Sequence, residues 1–188
     1  MGSCLAFLLF SLVFAPLFFF LLFFNIATFS FTKLGLSSGG AVLLFSAILL
    51  GSIVNIPVSR KRFYIEEPTP FRHPFLFYYP PRVREQVIAV NLGGAVIPSL
   101  FSIYLLVTVA PLPPTVAAVA VVAIVCKYLA RPVPGVGIRM PALIPPLVAA
   151  LVALLLTRGN AAPVAFISGV LGTLIGADLL NLHRLDEM

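Results

Sequence analysis

The sequence predicts an all-α fold: a polytopic transmembrane helix bundle of about six spans forming a single domain over residues 1–188. Composition is the first reason. The chain is 61% hydrophobic and 10% charged, with a mean hydropathy of +1.12. A soluble domain carries about 25% charged residues, so this chain has too few charges to cover a surface facing water. Run length is the second reason. The apolar stretches are long and lack the period-two alternation of barrel strands, which favours helices as the bilayer-spanning element. The third is charge placement. The basic residues behind the net charge of +6 lie in the connections, where they set membrane topology rather than bind nucleic acid. The expected partner is the lipid bilayer; no nucleic acid and no cofactor is expected.

Span one, residues 4–28, is rich in phenylalanine. It lacks a basic leading segment and is longer than a signal-peptide core of about 7–15 residues, so it reads as a retained span. Gly2 follows Met1, but Ala6 stands where a myristoylation signal needs Ser or Thr. Span two covers 39–58, with Asn55 and Pro57 near its end. The connection 59–86 mixes Arg60, Lys61, Arg62, Arg72, Arg82 and Arg84 with Phe63, Tyr64, Phe71, Phe75, Phe77, Tyr78 and Tyr79. Aromatic residues beside bases suit the headgroup zone. It reads as a cap on the cytoplasmic membrane surface, or more sharply as a surface that binds lipid or a partner. Span three is 87–109, span four 115–130 and span five 141–157, with a proline turn at Pro111–Pro114 between three and four. A GGAV at Gly39 recurs at Gly93, a faint sign of a repeat. Span six is 162–181.

With these spans, Lys127, Arg131, Arg139, Arg184 and the six bases of the 59–86 connection fall on one side. Only Lys33 and Arg158 fall on the other. The positive-inside rule makes the basic side cytoplasmic, and with it both termini.

Span six organises the rest. Asp178 is the only acidic residue inside a hydrophobic run. An aspartate at a helix centre costs about +2.5 to +3.5 kcal/mol on insertion scales, so other groups should meet it. Asn55, Asn91 and Lys127 lie at a similar depth on spans two, three and four, and Asn181 shares a helix face with Asp178. The reading is a polar cluster binding an ion or solute. The competing reading is a structural pair between Asp178 and Lys127 or a backbone amide. Gly169, Gly172 and Gly176 form a small-residue stripe that lets helices approach closely. Gly93 and Gly94 are further packing candidates in span three. Asp178 lies about 200° round the helix from Gly176, so both sides of span six should be packed.

The proline-rich stretch Arg131–Pro146 predicts a broken or re-entrant start to span five, or else an ordinary loop. Arg139, near that helix start, is an anion-binding candidate. Cys4 and Cys126 read as small apolar packing residues, and His73 and His183 stand alone, so no metal-ligand set is formed. No Ser–His pair, HExxH or nucleotide loop is present. Pro141-Ala142-Leu143 and Gly176-Ala177-Asp178 look superficially like the presenilin family's PAL and GxGD motifs. Ala177 departs from the second motif, the motif order is reversed, and no second intramembrane aspartate is present to share a proton.

Asn55-Ile56-Pro57, VNLGGAVIPSL at Val90–Leu100, Pro145-Pro146 and SGVLGTLIGADLLNL at Ser168–Leu182 occur in order. Together they resemble an uncharacterised, largely archaeal family of integral membrane proteins, the domain-of-unknown-function family sixteen-fourteen. The resemblance carries over no activity. It implies a further Gly-rich segment with another aspartate and one more span beyond Met188, which would complete the Asp178 site.

The functional expectation is a multi-pass cell-membrane protein that transports or conducts a small ion or solute. Asp178 would be the cation or proton site and Asn55 and Asn91 its neutral ligands. An intramembrane aspartyl hydrolase lacking its second carboxylate is the alternative. A scaffold or assembly subunit, as a homo-oligomer or with a partner membrane subunit, is the third.

Overall fold

The computed structural model describes residues 2–65, 82–133 and 137–182. Among these, six apolar helices are joined by short turns and two β-hairpins. In order they are α1 (Gly2–Thr32), α2 (Ser38–Gly51), β1 (Asn55–Ile65), β2 (Arg82–Asn91), α3 (Ile97–Thr108), α4 (Leu112–Leu129), β3 (Arg131–Val133), β4 (Gly137–Arg139), α5 (Ile144–Leu156) and α6 (Ala161–Thr173). A π-helical turn, Leu92–Val96, leads into α3. After α6 the chain continues through a second π turn, Leu174–Asp178, and a 3-10 turn, Leu179–Asn181.

The helix starts follow local chemistry. Ser37 caps α2, its hydroxyl accepting from the Gly40 amide at 3.1 Å. Prolines occupy the first turns of α4 and α5, where the missing N–H would have had no helical partner. Three helical stretches are long and apolar enough to cross a membrane: Phe14–Thr32, Leu112–Leu129 and Ala161–Asn181. Ser38–Gly51, Leu92–Thr108 and Ile144–Leu156 are shorter apolar helices. At 1.5 Å per residue α1 extends about 46 Å, more than the ~30 Å hydrocarbon core.

The connections alternate between the two ends of the bundle. The α3–α4 and α5–α6 turns meet at one end, where Pro111 and Pro114 line a cleft with Thr157 and Arg158. The α1–α2 turn is at that end too, since Leu34 shares a cleft with Ala162. Both hairpins emerge from the opposite end.

α6 lies at the centre, packed on α3, α4 and α5. Small side chains mediate much of this packing. Ala118 of α4, Ala153 of α5 and Val164 of α6 form one fully buried cluster. Val122, Cys126, Ala149 and Ala177 form another. Lipid offers no hydrophobic gain for helix association, so close contact between small residues takes its place. A third cluster is aromatic. The ring of Phe31 at the end of α1 lies 6.1 Å from Phe101 and 5.8 Å from Phe166, which are 5.3 Å from each other. Outside these clusters, leucines, phenylalanines and valines are exposed along the helices; Val107 is 80% exposed and Leu155 76%. Such a surface is stable only against lipid. The protein is a multi-pass helical membrane protein of a cell membrane.

Two expected spans are shorter than their apolar runs. Residues 39–58 form helix only to Gly51, and 87–109 become helical only from Leu92. The remainder pairs as an antiparallel hairpin, Asn55 opposite Asn91 out to Ile65 opposite Arg82. The 59–86 connection is thus β where it is described, and the fold is an all-α multi-helix bundle that carries two β-hairpins in its connections. β-Branched residues explain the switch: Ile56 and Val58 on β1, and Val83, Val87, Ile88 and Val90 on β2, favour extended backbone. The predicted break before span five is a second small hairpin, Arg131 opposite Arg139. The aromatic run Phe71–Tyr79 with Arg72 and His73, and the tail with His183 and Arg184, lie outside the described residues.

Candidate functional site

Two polar groupings sit at the hairpin end of the bundle. The first is the neck joining the long hairpin to α2 and α3. Asn91 closes β2 and caps the π turn: its Oδ1 accepts from the Gly94 amide at 2.6 Å. Its Nδ2 donates to the Ser52 carbonyl at 2.7 Å and to Asn55 Oδ1 at 3.0 Å. The Leu92 amide donates to the Val54 carbonyl at 2.9 Å. Gly93 then presses on the end of α2. A methyl group there would run into the Ile48 carbonyl and the Ser52 amide, and would stand 2.8 Å from the Gly51 carbonyl carbon. Only glycine fits this crossing. Gly51, not singled out by the sequence, is the other half of it; a methyl there would lie 3.0 Å from the Gly93 amide. Gly94 is the milder case, where an added methyl would sit 3.1 Å from Asn91 Oδ1.

The second grouping is at the end of α6. Past Thr173 the helix widens into the π turn and then tightens into the 3-10 turn. Such a change of pitch leaves carbonyls without their regular donors. Asn181 supplies donors for two of them. Its Nδ2 donates to the Gly176 carbonyl at 3.0 Å and the Ala177 carbonyl at 3.1 Å. Asn181 is fully buried, and its Oδ1 has no hydrogen-bond partner among the described residues. A buried acceptor left unmade costs about 1–3 kcal/mol. Asp178 ends the π turn and is exposed. Among the described residues its carboxylate makes no hydrogen bond and no ion pair.

The small residues of α6 set how closely this end approaches α4. A methyl at Gly172 would lie 2.7 Å from Val122 Cβ, and one at Gly176 would collide with the Ala123 carbonyl. Gly169 is looser, 3.5 Å from Ala149 Cβ of α5. Five residues before Asp178, Thr173 Oγ1 lies 3.7 Å from Cys126 Sγ of α4. Reading Cys126 from sequence as packing alone misses this thiol–hydroxyl contact.

The single cluster expected around Asp178 is therefore distributed. Asn55 and Asn91 bond to each other at the neck. Asn181 bonds to the backbone beside Asp178. Lys127 is exposed on α4 and forms no ion pair with Asp178 among the described residues. Arg139 is exposed on β4, directly opposite Arg131 and five residues before α5 begins. No group of three or more His, Cys, Asp or Glu able to hold a metal occurs among the described residues. A lateral cleft of about 580 Å³ runs between α1, α5 and α6, lined by Phe31, Pro146, Ala149, Ala165 and Phe166; it does not include Asp178.

No curated protein and no solved structure matches this chain. One family does, described as "Protein of unknown function (DUF1614)", over residues 49–188. That match takes in the hairpin neck, the glycine crossings and the whole of the irregular end of α6. On that coverage the chain belongs to the DUF1614 family.

Proposed function

We propose that this protein carries or conducts a proton or small monovalent cation, held at the irregular end of α6 by the Asp178 carboxylate and Asn181 Oδ1. The observation that carries the reading is the fully buried Asn181 Oδ1. It has no partner among the described residues and lies three residues from a carboxylate that has none there either. Both atoms are oxygen acceptors, suited to a proton or a hard cation. Interrupted membrane helices, whose carbonyls are partly released, are a recurrent setting for such sites. Asn55 and Asn91 take no part as ligands in this reading, because their polar atoms are engaged at the neck. The basic end is the cytoplasmic one, so the cation would be met from the cytoplasmic side.

The test is flux in proteoliposomes under an imposed gradient of protons, sodium or potassium. Wild-type protein should conduct at least one of these. Asp178→Asn should abolish that flux while eluting from size-exclusion chromatography like wild type. Equal flux in the variant, or no flux of any of the three in wild type, overturns the reading.

A further inference from the structure

The small hairpin between α4 and α5 sets two cations against each other. Its register pairs Arg131 with Arg139 and Val133 with Gly137. Directly opposed residues of an antiparallel pair share a face, with Cβ atoms about 4.5–5.5 Å apart. The two arginines therefore stand side by side on one face. Like charges so placed repel unless an anion lies between them.

Packing settles which way that face turns. Ala130, just before β3, is buried in the cluster of Val122, Cys126, Ala149 and Ala177, and Ile138 packs against the same cluster. Successive side chains of a strand point to opposite faces. Arg131 follows Ala130 and Arg139 follows Ile138, so both project away from the bundle, and both are exposed.

Helix length sets their depth. α4 has 18 residues and α5 has 13, which at 1.5 Å per residue extend about 27 Å and about 20 Å. Both fall short of the ~30 Å hydrocarbon core. A hairpin tied to two such helices is held against the membrane interface and not lifted clear into water. Tyr128 before it and Leu143 and Leu147 after it are exposed, and give it an apolar surround that faces lipid. A guanidinium at this depth reaches outward to the headgroups. The start of α5 is a poor seat for an anion, because Pro145 and Pro146 in its first turn have no N–H to donate. The guanidinium forks are the better donors, and their planar geometry matches phosphate oxygens.

We propose that Arg131 and Arg139 together bind the phosphate of one anionic phospholipid, in the leaflet at the hairpin end of the bundle. The lipid's negative charge relieves the repulsion between the two cations, and its acyl chains lie against the exposed Leu143 and Leu147. A free phosphate offers only the first of these. Each arginine beside an anionic headgroup favours binding roughly fivefold, so two favour it roughly 25-fold.

Full-length protein in a neutral detergent is titrated with phosphatidylglycerol or phosphatidylcholine, and bound lipid is counted by native mass spectrometry. Wild type should bind phosphatidylglycerol at least about tenfold more tightly than phosphatidylcholine. Arg131→Gln combined with Arg139→Gln should weaken phosphatidylglycerol binding roughly 25-fold and change phosphatidylcholine binding less than about twofold. Arg158→Gln removes a cation from the other end of the bundle and should change neither. Inorganic phosphate in large excess should leave the bound phosphatidylglycerol in place. Equal binding of the two lipids, a preference that survives in the double variant, an equal loss in Arg158→Gln, or displacement by phosphate overturns the proposal. Amide hydrogen exchange over residues 130–140 of the unmutated protein gives a reading that depends on no variant. It should be slower in nanodiscs containing phosphatidylglycerol than in discs of phosphatidylcholine alone, and equal exchange in both counts against the proposal.

Discussion

Two asparagines stand where a helix of this bundle departs from regular pitch, and they are used differently. Asn91 opens the π turn before α3, and both ends of its amide are engaged: the nitrogen by Ser52 and Asn55, the oxygen by Gly94. Asn181 follows the π turn after α6. Its nitrogen is engaged by Gly176 and Ala177, while its oxygen is buried and idle among the described residues. The first is a closed joint whose sole output is geometry, the fixed angle of a hairpin. The second is a joint with an acceptor to spare, beside a carboxylate that no described residue pairs. Sequence depth treats the two alike; hydrogen-bond accounting separates the structural node from the one able to take a ligand.

The contrast can be broken most severely at the closed joint. Gly93→Ala drives a methyl into the backbone of Ile48 and Ser52, which cannot yield without parting α2 from α3. A loss of several kcal/mol is expected, seen as failure to recover monodisperse protein. A wild-type melting curve for this variant would show the crossing to be slack. Asn91→Ala comes next. It removes three hydrogen bonds worth about 1 kcal/mol each, so about 2–3 kcal/mol should be lost in thermal unfolding followed by circular dichroism.

Asn181→Leu should cost less, about 1 kcal/mol, because the lost amide bonds are offset by removing an unsatisfied buried acceptor. A cost matching that of Asn91→Ala would mean that the Asn181 oxygen is already satisfied. Asp178→Asn should be the mildest for stability, within about 0.5 kcal/mol, since no described partner is lost. A loss of about 2 kcal/mol or more would identify Asp178 as part of a structural pair and dissolve the contrast.

Much of this arrangement is readable from the residues. Hydropathy marks the helices, and the spacing of Gly169, Gly172 and Gly176 marks the side of α6 that α4 and α5 approach. The ordered phrases from Asn55 to Leu182 point to the family that the match over residues 49–188 shows. The hairpin escapes such a reading because hydropathy measures transfer to lipid and is blind to backbone conformation. The apolar runs of α2 and α3 continue unbroken into Ile56 and Val58, and back through Val87 and Val90. The clustering of β-branched residues there is the available signal. The spread of the polar residues escapes it for another reason. Residue count along a span gives depth but says little about azimuth once the helix changes pitch, as it does at Leu92 and again at Leu174. Asn55 and Asn91 share a depth with each other and, being opposite one another at the base of the hairpin, bond to each other.

The most direct test looks at the carboxylate itself. Difference infrared spectroscopy on reconstituted protein can follow carboxylate stretching as protons or sodium ions are added. If the end of α6 binds a cation, one carboxylate band should respond, be absent in Asp178→Asn, and shift in Asn181→Leu. Spectra in which no band responds, or in which the responding band survives in Asp178→Asn, would contradict the account.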